Sequence, residues 1–332
     1  MTALRPHVAV VILNYNGWQD TLACVASLLA STLSCKLSIV VADNGSKPDA
    51  LNSLSQGLGE HQKAGVAYQM LSRQEAQATP LTPSSDAVQL VLIRNGANLG
   101  FAGGCNPGIQ WAMHAGAEYV WLLNNDTEVD PHALEALLNR CRAHPHIGIC
   151  GSKLVYFDDR GTLQARGGAV YEPHKANGRH LGVGEPVDSP ENVADIEARM
   201  DYVIGASMMV TRRFIEKVGL MTEDYLLYFE ELDWATRGKQ LGFKLGYAAD
   251  SVVFHKEGAT IGSSHRKYSS PLSQRFLCRN RLLFTRRFFP QCLNRVRLQF
   301  LLEICVWLAR GVPGHAWIVL GALLGLRVSL PK

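Results

Sequence analysis

Two acidic segments of this 332-residue chain carry the side chains best suited to chemistry. The first, residues 122–131, reads LLNNDTEVDP and ends an apolar stretch that is typical of a buried strand. Asn124, Asn125 and Asp126 offer one carboxylate and two amide oxygens, and such donors suit a hard cation such as Mg²⁺. The same triplet is also typical of a turn in which Asn and Asp side chains bond backbone amides. Taken alone, it favours the turn.

The second segment, residues 228–242, reads YFEELDWATRGKQLG and has the periodicity of a helix. On a helix, Glu230, Asp233 and Arg237 lie on one face, and Glu231 is one step round from it. Aromatic and aliphatic neighbours would bury these acids, and burial raises the pKa of a carboxyl toward the range of a general base. A solvated acidic helix start, paired with the basic residues of its last turn, is the alternative interpretation.

Three further polar features follow apolar runs. Asp43, in VVADNGS, could accept hydrogen bonds from a ribose or a base, although the segment is also good turn chemistry. The glycine-rich run NLGFAGGCN, residues 98–106, would let backbone N–H groups approach a diphosphate at a helix N-terminus. This run matches neither the Walker A pattern nor GxGxxG. His255 ends a later apolar run and could bind a metal ion or a phosphate, or serve the structure alone.

The elements between these residues alternate between strand and helix patterns. Apolar β runs are followed by polar residues four times, at residues 14–16, 43–46, 98–106 and 124–126. This alternation predicts an α/β fold with a mostly parallel central sheet and helices on both faces. Ligands of such sheets bind outside the carboxyl ends of the strands. Four polar strand ends together therefore favour one binding crevice over four separate turns.

Local signals predict where particular helices and loops lie. We predict a helix over residues 107–115, after the glycine-rich turn. A second helix is predicted to have Asp130 as its N-cap and Pro131 at its first position. The polar second half of residues 48–88 is interpreted as a surface insertion. The acidic helix is expected to precede a strand that reaches His255.

The composition limits the class of protein. With 47% hydrophobic and 19% charged residues, the chain can bury a substantial core. Its eight cysteines are scattered and contain no CxxC pair, and the N-terminus lacks the pattern of a signal peptide. We therefore expect free thiols in a reducing, cytosolic compartment.

The C-terminal part is first basic and then apolar. Residues 258–300 contain nine Arg or Lys and no Asp or Glu, which suits a phosphate-bearing ligand, nucleic acid or an anionic membrane, or else forms a solvated face. Two apolar stretches of about a dozen residues follow, and each is shorter than the ~20 residues of a membrane span. The pattern favours an interfacial membrane anchor, with a re-entrant hairpin or a buried helix pair as alternatives.

Six segments, in order over residues 8–262, together resemble family 2 glycosyltransferases of the GT-A fold. They are similar above all to the bacterial rhamnosyltransferase-like subgroup. The segments read VVILNYNG, VVADNGS, NLGFAGGCNPGI, WLLNNDTEVDP, GASMMVTRRFIEKVGLMTEDYLLYFEELDWATRGKQLGFKL and VFHKEGATIG. The chain departs from the family pattern at Asn124, where the DxD motif begins with Asp, and at Glu231, where Asp is usual.

The resemblance implies a metal-dependent, inverting glycosyltransferase. Its cofactor would be Mg²⁺ or Mn²⁺, held by Asp126 with His255 nearby. Glu231 would be the catalytic base, in an acidic group with Glu230 and Asp233. The residues expected at the nucleotide are Asn14, Asn16, Asp43, Asn44, Asn98, Gly100, Gly103, Gly104, Asn106, Asn124 and Asn125. The donor would be a dTDP-, UDP- or GDP-sugar, with rhamnose as the first expectation.

The same resemblance implies an organisation and a set of partners. Residues 1–262 would form the catalytic domain, with 1–150 as its nucleotide-binding half and 151–262 as its acceptor-side half. Residues 263–332 would associate with the cytoplasmic face of the inner membrane. The acceptor would be a glycan or a lipid-linked sugar in the synthesis of bacterial cell-surface polysaccharide. A homodimer stays open, and nucleic acid is not expected as a partner.

Two other kinds of function stay open. A nucleotide-dependent oxidoreductase is disfavoured because GxGxxG is missing, and a nucleotidyltransferase because no basic Gly-Arg-rich loop follows the first strand. The other alternative is a non-catalytic, membrane-associated scaffold with the same fold. The presence of Asp43, Asp126 and Glu231 speaks against such a scaffold.

Overall fold

The computed structural model of the chain describes residues 5–78, 88–256, 270–326 and 328. The strands are β1 His7–Asn14, β2 Lys36–Asp43, β3 Ala67–Ser72, β4 Gln89–Arg94, β5 Tyr119–Asn124, β6 Thr127–Val129, β7 Ile147–Tyr156, β8 Leu163–Arg166, β9 Gly168–Glu172, β10 Asn177–His180, β11 Tyr202–Val203, β12 Ser207–Thr211 and β13 Lys244–His255. The α-helices are α1 Trp18–Leu29, α2 Pro48–Glu60, α3 Arg73–Ala78, α4 Gly100–His114, α5 Ala133–Ala143, α6 Val193–Arg199, α7 Arg212–Val218, α8 Glu230–Gln240, α9 Pro271–Phe288, α10 Leu293–Ala309 and α11 Pro313–Leu323.

Most strands join one sheet in the order β3-β4-β2-β1-β5-β12-β7-β13-β6, and β8 pairs with β7 beside this path. The first five strands in that order are parallel to one another, and β7 and β13 are also parallel. By contrast, β12, β6 and β8 run antiparallel to their neighbours. A second, antiparallel sheet has the order β10-β9-β11. The predicted α/β fold with a mostly parallel central sheet is therefore confirmed.

The register of the parallel strands brings their carboxyl ends to one edge. Asn14, the last residue of β1, pairs with Asp43, the last residue of β2. On the other side of β1, Leu13 pairs with Asn124 at the end of β5. Asp43 pairs in turn with Arg94 at the end of β4. The loops that follow these four strands consequently start next to one another.

Helices cover both faces of the sheet, as the alternating pattern predicts. Successive side chains of β1 point to opposite faces, because the period of a strand is two. Val10 is fully buried in the apolar cluster that contains Leu28 of α1, together with residues of α2 and α5. Val11 is buried in a different cluster, with Ile109 of α4 and Trp234 of α8. The two clusters form the core between the sheet and its helices.

The C-terminal helices build a third apolar cluster against the chain that leads into α8. Tyr225 and Leu232 from that region are buried with Phe284 of α9 and with Phe300 of α10 and Val319 of α11. The buried helix pair, which the sequence left open as an alternative to an interfacial anchor, is thus partly realised. Within the described part of the chain, no helix combines the length and apolar character needed to cross a membrane.

The helix predicted over residues 107–115 begins earlier than expected, because α4 starts at Gly100 and includes the glycine-rich run. The prediction took these glycines for a turn. In the structure, they let the helix pack closely on the sheet. A Cβ atom at Gly104 would lie 2.4 Å from Leu13 Cδ1, and one at Gly108 would lie 2.8 Å from Val11 Cγ1. The absence of side chains therefore serves helix packing within α4, and the local turn signal was misleading.

Two other sequence predictions need correction. The helix predicted to begin at Pro131 starts at Ala133, after a turn in which Asp130 Oδ1 accepts a hydrogen bond from the His132 amide at 2.9 Å. The region interpreted as a surface insertion includes the end of the edge strand Ala67–Ser72 and the short helix Arg73–Ala78. The side chains of that strand are partly exposed and do not alternate between buried and exposed positions. A period of two in hydrophobicity therefore did not predict the strand. The rest of the insertion, residues 79–87, lies outside the described residues.

Candidate active site

The ends of β1 and β2 are joined by a polar network. Asn14 is fully buried, and its Nδ2 donates to Asp43 Oδ1 at 2.8 Å and to Ser46 Oγ at 3.0 Å. Asp43 is 2% exposed, and its Oδ2 accepts from the Ser46 amide at 3.1 Å. Asn16 adopts a left-handed φ of 58°, which asparagine tolerates, and its Oδ1 accepts from the Lys47 amide at 2.8 Å. These contacts fix the two loops that follow the strands.

The network continues through Thr21 of α1 to the end of β5. The Thr21 hydroxyl donates to Asn14 Oδ1 at 2.9 Å. The same hydroxyl accepts from Asn125 Nδ2 at 3.2 Å. Asn125 Nδ2 also donates to the Gly17 carbonyl at 3.3 Å. A continuous set of hydrogen bonds thus connects Asp43 with the residue directly before Asp126.

Asn44 connects this edge with the N-terminus of α4. Its Nδ2 donates to Asn98 Oδ1 and to the Gly100 carbonyl, both at 3.1 Å. Its Oδ1 accepts from the Leu99 amide at 3.1 Å and would lie 3.0 Å from a Cβ atom at Gly104. The first turn of α4 is therefore held against the end of β2, where its positive dipole end would favour an anion.

Asn106 and Gly103 face the chain after α7. Asn106 is 4% exposed, and its Nδ2 donates to the Met221 carbonyl at 3.0 Å and to Glu223 Oε1 at 2.9 Å. A Cβ atom at Gly103 would lie 3.4 Å from Glu223 Oε2. Of the residues expected at the nucleotide, these two thus lie against the segment that follows α7, and their contacts favour a structural role.

Asp126 meets His255 at the end of β13. His255 Nε2 lies 3.2 Å from Asp126 Oδ1 and 3.5 Å from Asn124 Nδ2. On the other side of the ring, Nδ1 lies 2.9 Å from Gln164 Oε1. A carbonyl oxygen can only accept, so Nδ1 carries a hydrogen and donates to Gln164. In the neutral ring Nε2 is then an acceptor, and it faces a carboxylate oxygen.

This pair fits a divalent cation. Two acceptors at 3.2 Å repel each other unless a cation lies between them, either a second ring proton or a metal ion. The carboxylate suits Mn²⁺ or Mg²⁺, and the imidazole suits a transition metal such as Mn²⁺, when water and phosphate oxygens complete the shell. Among the residues that the structure describes, no group of three or more His, Cys, Asp or Glu could hold a metal ion by itself. A site here would therefore depend on oxygens from a ligand.

The acidic helix begins with two carboxyl groups of different exposure. Glu230 is fully buried, and neither of its carboxylate oxygens has a hydrogen-bond partner. Burial and then the charge of Glu231 raise the pKa of Glu230 well above its ordinary value. Glu231 is partly exposed, and burial of its carboxyl raises the pKa to about 7. Glu231 thus combines access to solvent with a pKa suited to a general base.

Asp233 has different surroundings from Glu231. Its carboxylate is fully buried and accepts from Arg237 Nε at 2.6 Å, Tyr225 Oη at 3.0 Å and Arg287 Nη1 at 2.9 Å. Three donors occupy both oxygens, and two of these donors are guanidinium groups. This arrangement is typical of a structural ion pair that holds a helix in place.

The acidic helix and the strand edge meet near Gly205. A Cβ atom at Gly205 would lie 3.9 Å from Glu231 Cδ and 3.8 Å from Phe101 Cζ, in the first turn of α4. The next residue, Ala206, accepts a hydrogen bond from the Asn124 amide at 3.0 Å. The structure thus brings Glu231, the glycine-rich helix start and the Asn124–Asp126 turn to the same edge of the sheet.

Several residues at this edge escaped the sequence analysis. Thr21 and Gln164 bond the predicted site residues, but a single Thr or Gln in a sequence gives no signal of such a role. Asn280 and Arg287 of α9 hold the loop before α8 and the Asp233 carboxylate. Both lie in RNRLLFTRR, residues 279–287, which also resembles a segment of the family. Their contacts within the chain were not predicted, because the charge pattern directed attention to outside partners.

The large sheet is parallel over the five neighbouring strands β3, β4, β2, β1 and β5, and it is mixed from β12 onward. This is the architecture of the GT-A glycosyltransferases. The chain is similar to the mannosyltransferase PcManGT from Pyrobaculum calidifontis, solved with GDP-Man and Mn2+, with a TM-score of 0.55, 15% identity and coverage of 99% of this chain and 78% of that chain. It is also similar to residues 1–349 of TarS from S. aureus, with a TM-score of 0.51, 12% identity and coverage of 87% of this chain and 70% of that one.

Sequence comparison points the same way. Residues 83–216 match the family model "Glycosyl transferase family 2". Over 271 residues, 80% of each chain, the protein is 22% identical to the low-salt glycan biosynthesis hexosyltransferase Agl10 of Haloferax volcanii. It is 24% identical to the uncharacterized protein y4gI of Sinorhizobium fredii over 77% of this chain and 25% of that protein, so it spans about a quarter of that relative.

Proposed function

We propose that this protein is a family 2 glycosyltransferase that moves a hexosyl group from a nucleotide-diphosphate sugar to an acceptor hydroxyl. The observation that carries the proposal is that a candidate base and a candidate metal-binding turn lie on either side of Gly205. Glu231, whose raised pKa suits a base, lies on one side of Gly205, and the turn that contains Asp126 lies on the other. The family match over residues 83–216 supports the proposal.

The donor would bind along the edge formed by β1, β2 and the start of α4. Both Asp43 oxygens already accept hydrogen bonds within the chain, so we infer that Asp43 shapes the pocket for the base or ribose and offers its remaining lone pairs there. The positive dipole end of α4 would stabilise the charge of the diphosphate. Asn44 supports this binding by fixing the helix start.

Glu231 would act as the base on the acceptor. Its carboxylate removes the proton of the attacking hydroxyl while the hydroxyl oxygen bonds to the anomeric carbon. The bond between that carbon and the diphosphate oxygen breaks with its electron pair, and the nucleoside diphosphate leaves. Attack from the opposite face makes the reaction inverting. The proton ends on Glu231, whose raised pKa favours taking it up near neutral pH.

A divalent metal ion between Asp126 and His255, when bound, would neutralise the charge that develops on the leaving diphosphate. Gln164 orients His255 for this purpose by accepting its Nδ1 hydrogen, so that Nε2 stays available as a ligand. The Asn124 amide nitrogen Nδ2 lies 3.5 Å from the same ring nitrogen. Asp126 and His255 thus form the chain's contribution to a site that the donor's phosphates complete.

A donor panel tests this function. The purified protein is assayed with dTDP-rhamnose, GDP-mannose and UDP-GlcNAc, and in parallel with NAD and ATP, each with Mn²⁺ and with chelator. Release of the nucleoside diphosphate and consumption of NAD or ATP are measured. We expect one donor to be turned over in the presence of metal. Rhamnose is our first choice from the motif pattern, and GDP-mannose is included because the structural neighbour from Pyrobaculum calidifontis was solved with GDP-Man. Turnover of NAD or a free nucleoside triphosphate instead would contradict the proposal.

We further propose that α10 and α11 dock the enzyme on an anionic lipid surface, where a lipid-linked acceptor of cell-surface polysaccharide synthesis would lie. The support is an exposed apolar stripe at helical spacing on α10, formed by Leu298, Leu301 and Leu302, with Trp317 of α11 70% exposed. The exposed Arg295 and other basic residues flank the stripe. Charge and apolar area together suit an anionic interface.

Vesicle sedimentation tests the docking surface. We expect the protein to bind vesicles that contain phosphatidylglycerol and to bind pure phosphatidylcholine more weakly. The double variant Leu298→Glu and Leu302→Glu should lose this binding. Leu241→Glu, an exposed leucine outside these helices, is the matched control. Equal sedimentation of the double variant, or self-association through the stripe in place of lipid binding, would contradict the docking proposal.

A further inference from the structure

The loop that leads into the acidic helix has a conformation that its residues resist. Leu226, Tyr228 and Phe229 have φ angles of 65°, 67° and 79°, in the left-handed region. None of these residues is glycine, and bulky side chains seldom adopt this region. Three of them within four positions require strong support from the surroundings. We call residues 225–229 the left-handed loop.

Asn280 of α9 supplies much of this support. It is fully buried, and its Nδ2 lies 3.0 Å from the Tyr225 carbonyl, 2.7 Å from the Leu227 carbonyl and 3.0 Å from the Tyr228 carbonyl. A primary amide has two N–H groups, so three carbonyls share them. Asn280 Oδ1 accepts from Arg279 Nη1 at 2.7 Å, which fixes the orientation of the amide. These bonds gather the backbone of the loop around one side chain.

The left-handed loop lies between the two sides of the candidate active site. The Leu226 carbonyl accepts a hydrogen bond from the Phe101 amide at 2.7 Å, at the start of α4. A Cβ atom at Gly100 would lie 2.2 Å from the same carbonyl oxygen, so only glycine fits this contact. At its other end the loop runs directly into Glu230 and Glu231. The loop's shape thus sets the distance between the donor side and the base.

We propose that Asn280 is a positioning residue for sugar transfer: by holding the left-handed loop, it places Glu231 opposite the donor that α4 binds. The proposal rests on the proposed function of the site. It also gives the first helix of the C-terminal part a role inside the active site, in addition to any contact with a membrane. Asn280 does not touch substrate in this scheme and acts through the backbone of the loop.

Asn280→Asp tests the proposal, because the two side chains have nearly the same shape. A carboxylate would present oxygen lone pairs to the three carbonyls in place of N–H donors. We expect kcat to fall ~10- to 100-fold, as small misplacements of reacting groups do, while the KM for the donor stays within about twofold. The exposed Asn294 of α10 gives the matched control, and Asn294→Asp should leave both constants unchanged.

Hydrogen exchange of residues 222–232, followed by mass spectrometry, gives a readout that needs no activity. Exchange in this segment should be faster in Asn280→Asp than in wild type and Asn294→Asp, while β1 and β2 remain protected. Unchanged exchange there, or unchanged kcat, would overturn the proposal. So would a parallel loss of kcat and donor affinity, which indicates a general structural role.

If Asn280→Asp does not fold, Asn280→Ser keeps one hydrogen-bond donor and takes its place, with the same criteria and a smaller expected effect. If the wild-type protein transfers no sugar from any donor, the proposed function fails by itself. The exchange experiment then still decides whether Asn280 holds the loop. The two failures are therefore distinguishable.

Discussion

The candidate site has two sides that are built in opposite ways. We call the ends of β1, β2 and β5 with the start of α4 the donor side, and residues 225–233 the base side. On the donor side, Asn14, Asp43 and Thr21 satisfy one another's polar atoms through short bonds between adjacent strand ends. On the base side, Glu230 is buried without a partner, and the chain before it is held in left-handed conformations. The first arrangement lowers the energy of the fold locally. The second raises it and depends on support from a distant helix.

This difference fits the division of labour in a transferase. A rigid, satisfied pocket suits the binding of a nucleotide, because little has to be ordered when it binds. A base, in contrast, works best with a pKa near the working pH, and burial in an apolar environment is what raises the pKa of Glu231 toward it. Strain and unsatisfied charge are thus concentrated where the proposed chemistry requires them.

Glu231→Gln is expected to have the largest effect and to separate catalysis on the base side from donor binding on the donor side. This variant keeps the shape of the side chain and removes the base, so we expect kcat to fall at least ~10²-fold, the low end for loss of a general base. Donor affinity, measured by titration calorimetry, should not change. Near-wild-type turnover would show that Glu231 is not the base. Glu216→Gln, at an exposed glutamate of α7, is the control.

Asp126→Ala should affect the other side. We expect turnover to fall at least ~10²-fold, which is typical for the loss of a key charge stabiliser. In this variant, unlike Glu231→Gln, metal-dependent donor binding should also weaken. Calorimetric titration of the nucleoside diphosphate with and without Mn²⁺ measures this binding. If both variants change only kcat, or both change only affinity, the two sides do not differ in function as proposed.

The donor side could largely be predicted from the sequence. Each polar cluster follows its own strand, and parallel strands in register carry those clusters to one edge without any further information. Asp43, Asn44, Asn124 and Asp126 all lie there. The same local reasoning failed for the start of α4, because the glycines that pack against Leu13 and Val11 read as a turn when their neighbours are unknown.

The base side could be predicted only in part. The acidic cluster is visible in the sequence, but its three carboxyl groups look alike there. Nothing local indicates that Glu230 is buried and unpaired, that Glu231 is partly exposed, and that Asp233 is neutralised by Arg287. These assignments depend on α9, about fifty residues later in the chain. The positive φ angles before α8 are likewise imposed by tertiary contacts and oppose the local preference of Leu, Tyr and Phe.

The pH dependence of kcat offers a finer test of the base side. Glu231 accepts a proton only when it is ionised, and burial raises its pKa to about 7. Activity should therefore rise with pH up to about 7 and level off above it. Below that value we expect a fall of about tenfold per pH unit, as for a single essential base. Donor affinity measured over the same range should lack this transition. An activity plateau that extends down to the ordinary pKa of a glutamate would contradict the assignment.

Gly100→Ala tests the contact between the two sides. Gly100 has a φ of 77°, and an added Cβ would lie 2.2 Å from the Leu226 carbonyl oxygen. Gly116 has a φ of 81° and no atom within 4 Å of such a Cβ, so it isolates the backbone strain. We expect Gly116→Ala to cost about 1–2 kcal/mol of unfolding free energy. Gly100→Ala should cost more, as measured by urea unfolding, and should also lower turnover. Equal losses would mean that the left-handed loop moves aside easily.

The smallest expected effect concerns the stability cost of the base side. Glu230 faces Glu231, Asp233 and Cys105, and its pKa in the folded protein is raised by burial and then by the charge of Glu231. A carboxyl whose pKa is higher in the folded than in the unfolded state binds more protons when folded, so the unfolding free energy falls as pH rises above the ordinary value of 4.5. Glu230→Gln removes this titration.

The variant should therefore be more stable than wild type at about pH 8, because the unfolding free energy of wild type falls as the raised pKa of Glu230 is approached. The advantage should shrink toward about pH 5, because protonation makes wild-type Glu230 neutral like glutamine. Urea unfolding at both pH values measures it, with Glu216→Gln as the exposed control. The same pH slope in Glu230→Gln and wild type would mean that Glu230 is not held unfavourably. The base side would then be as satisfied as the donor side, and the contrast between the two would rest on the left-handed loop alone.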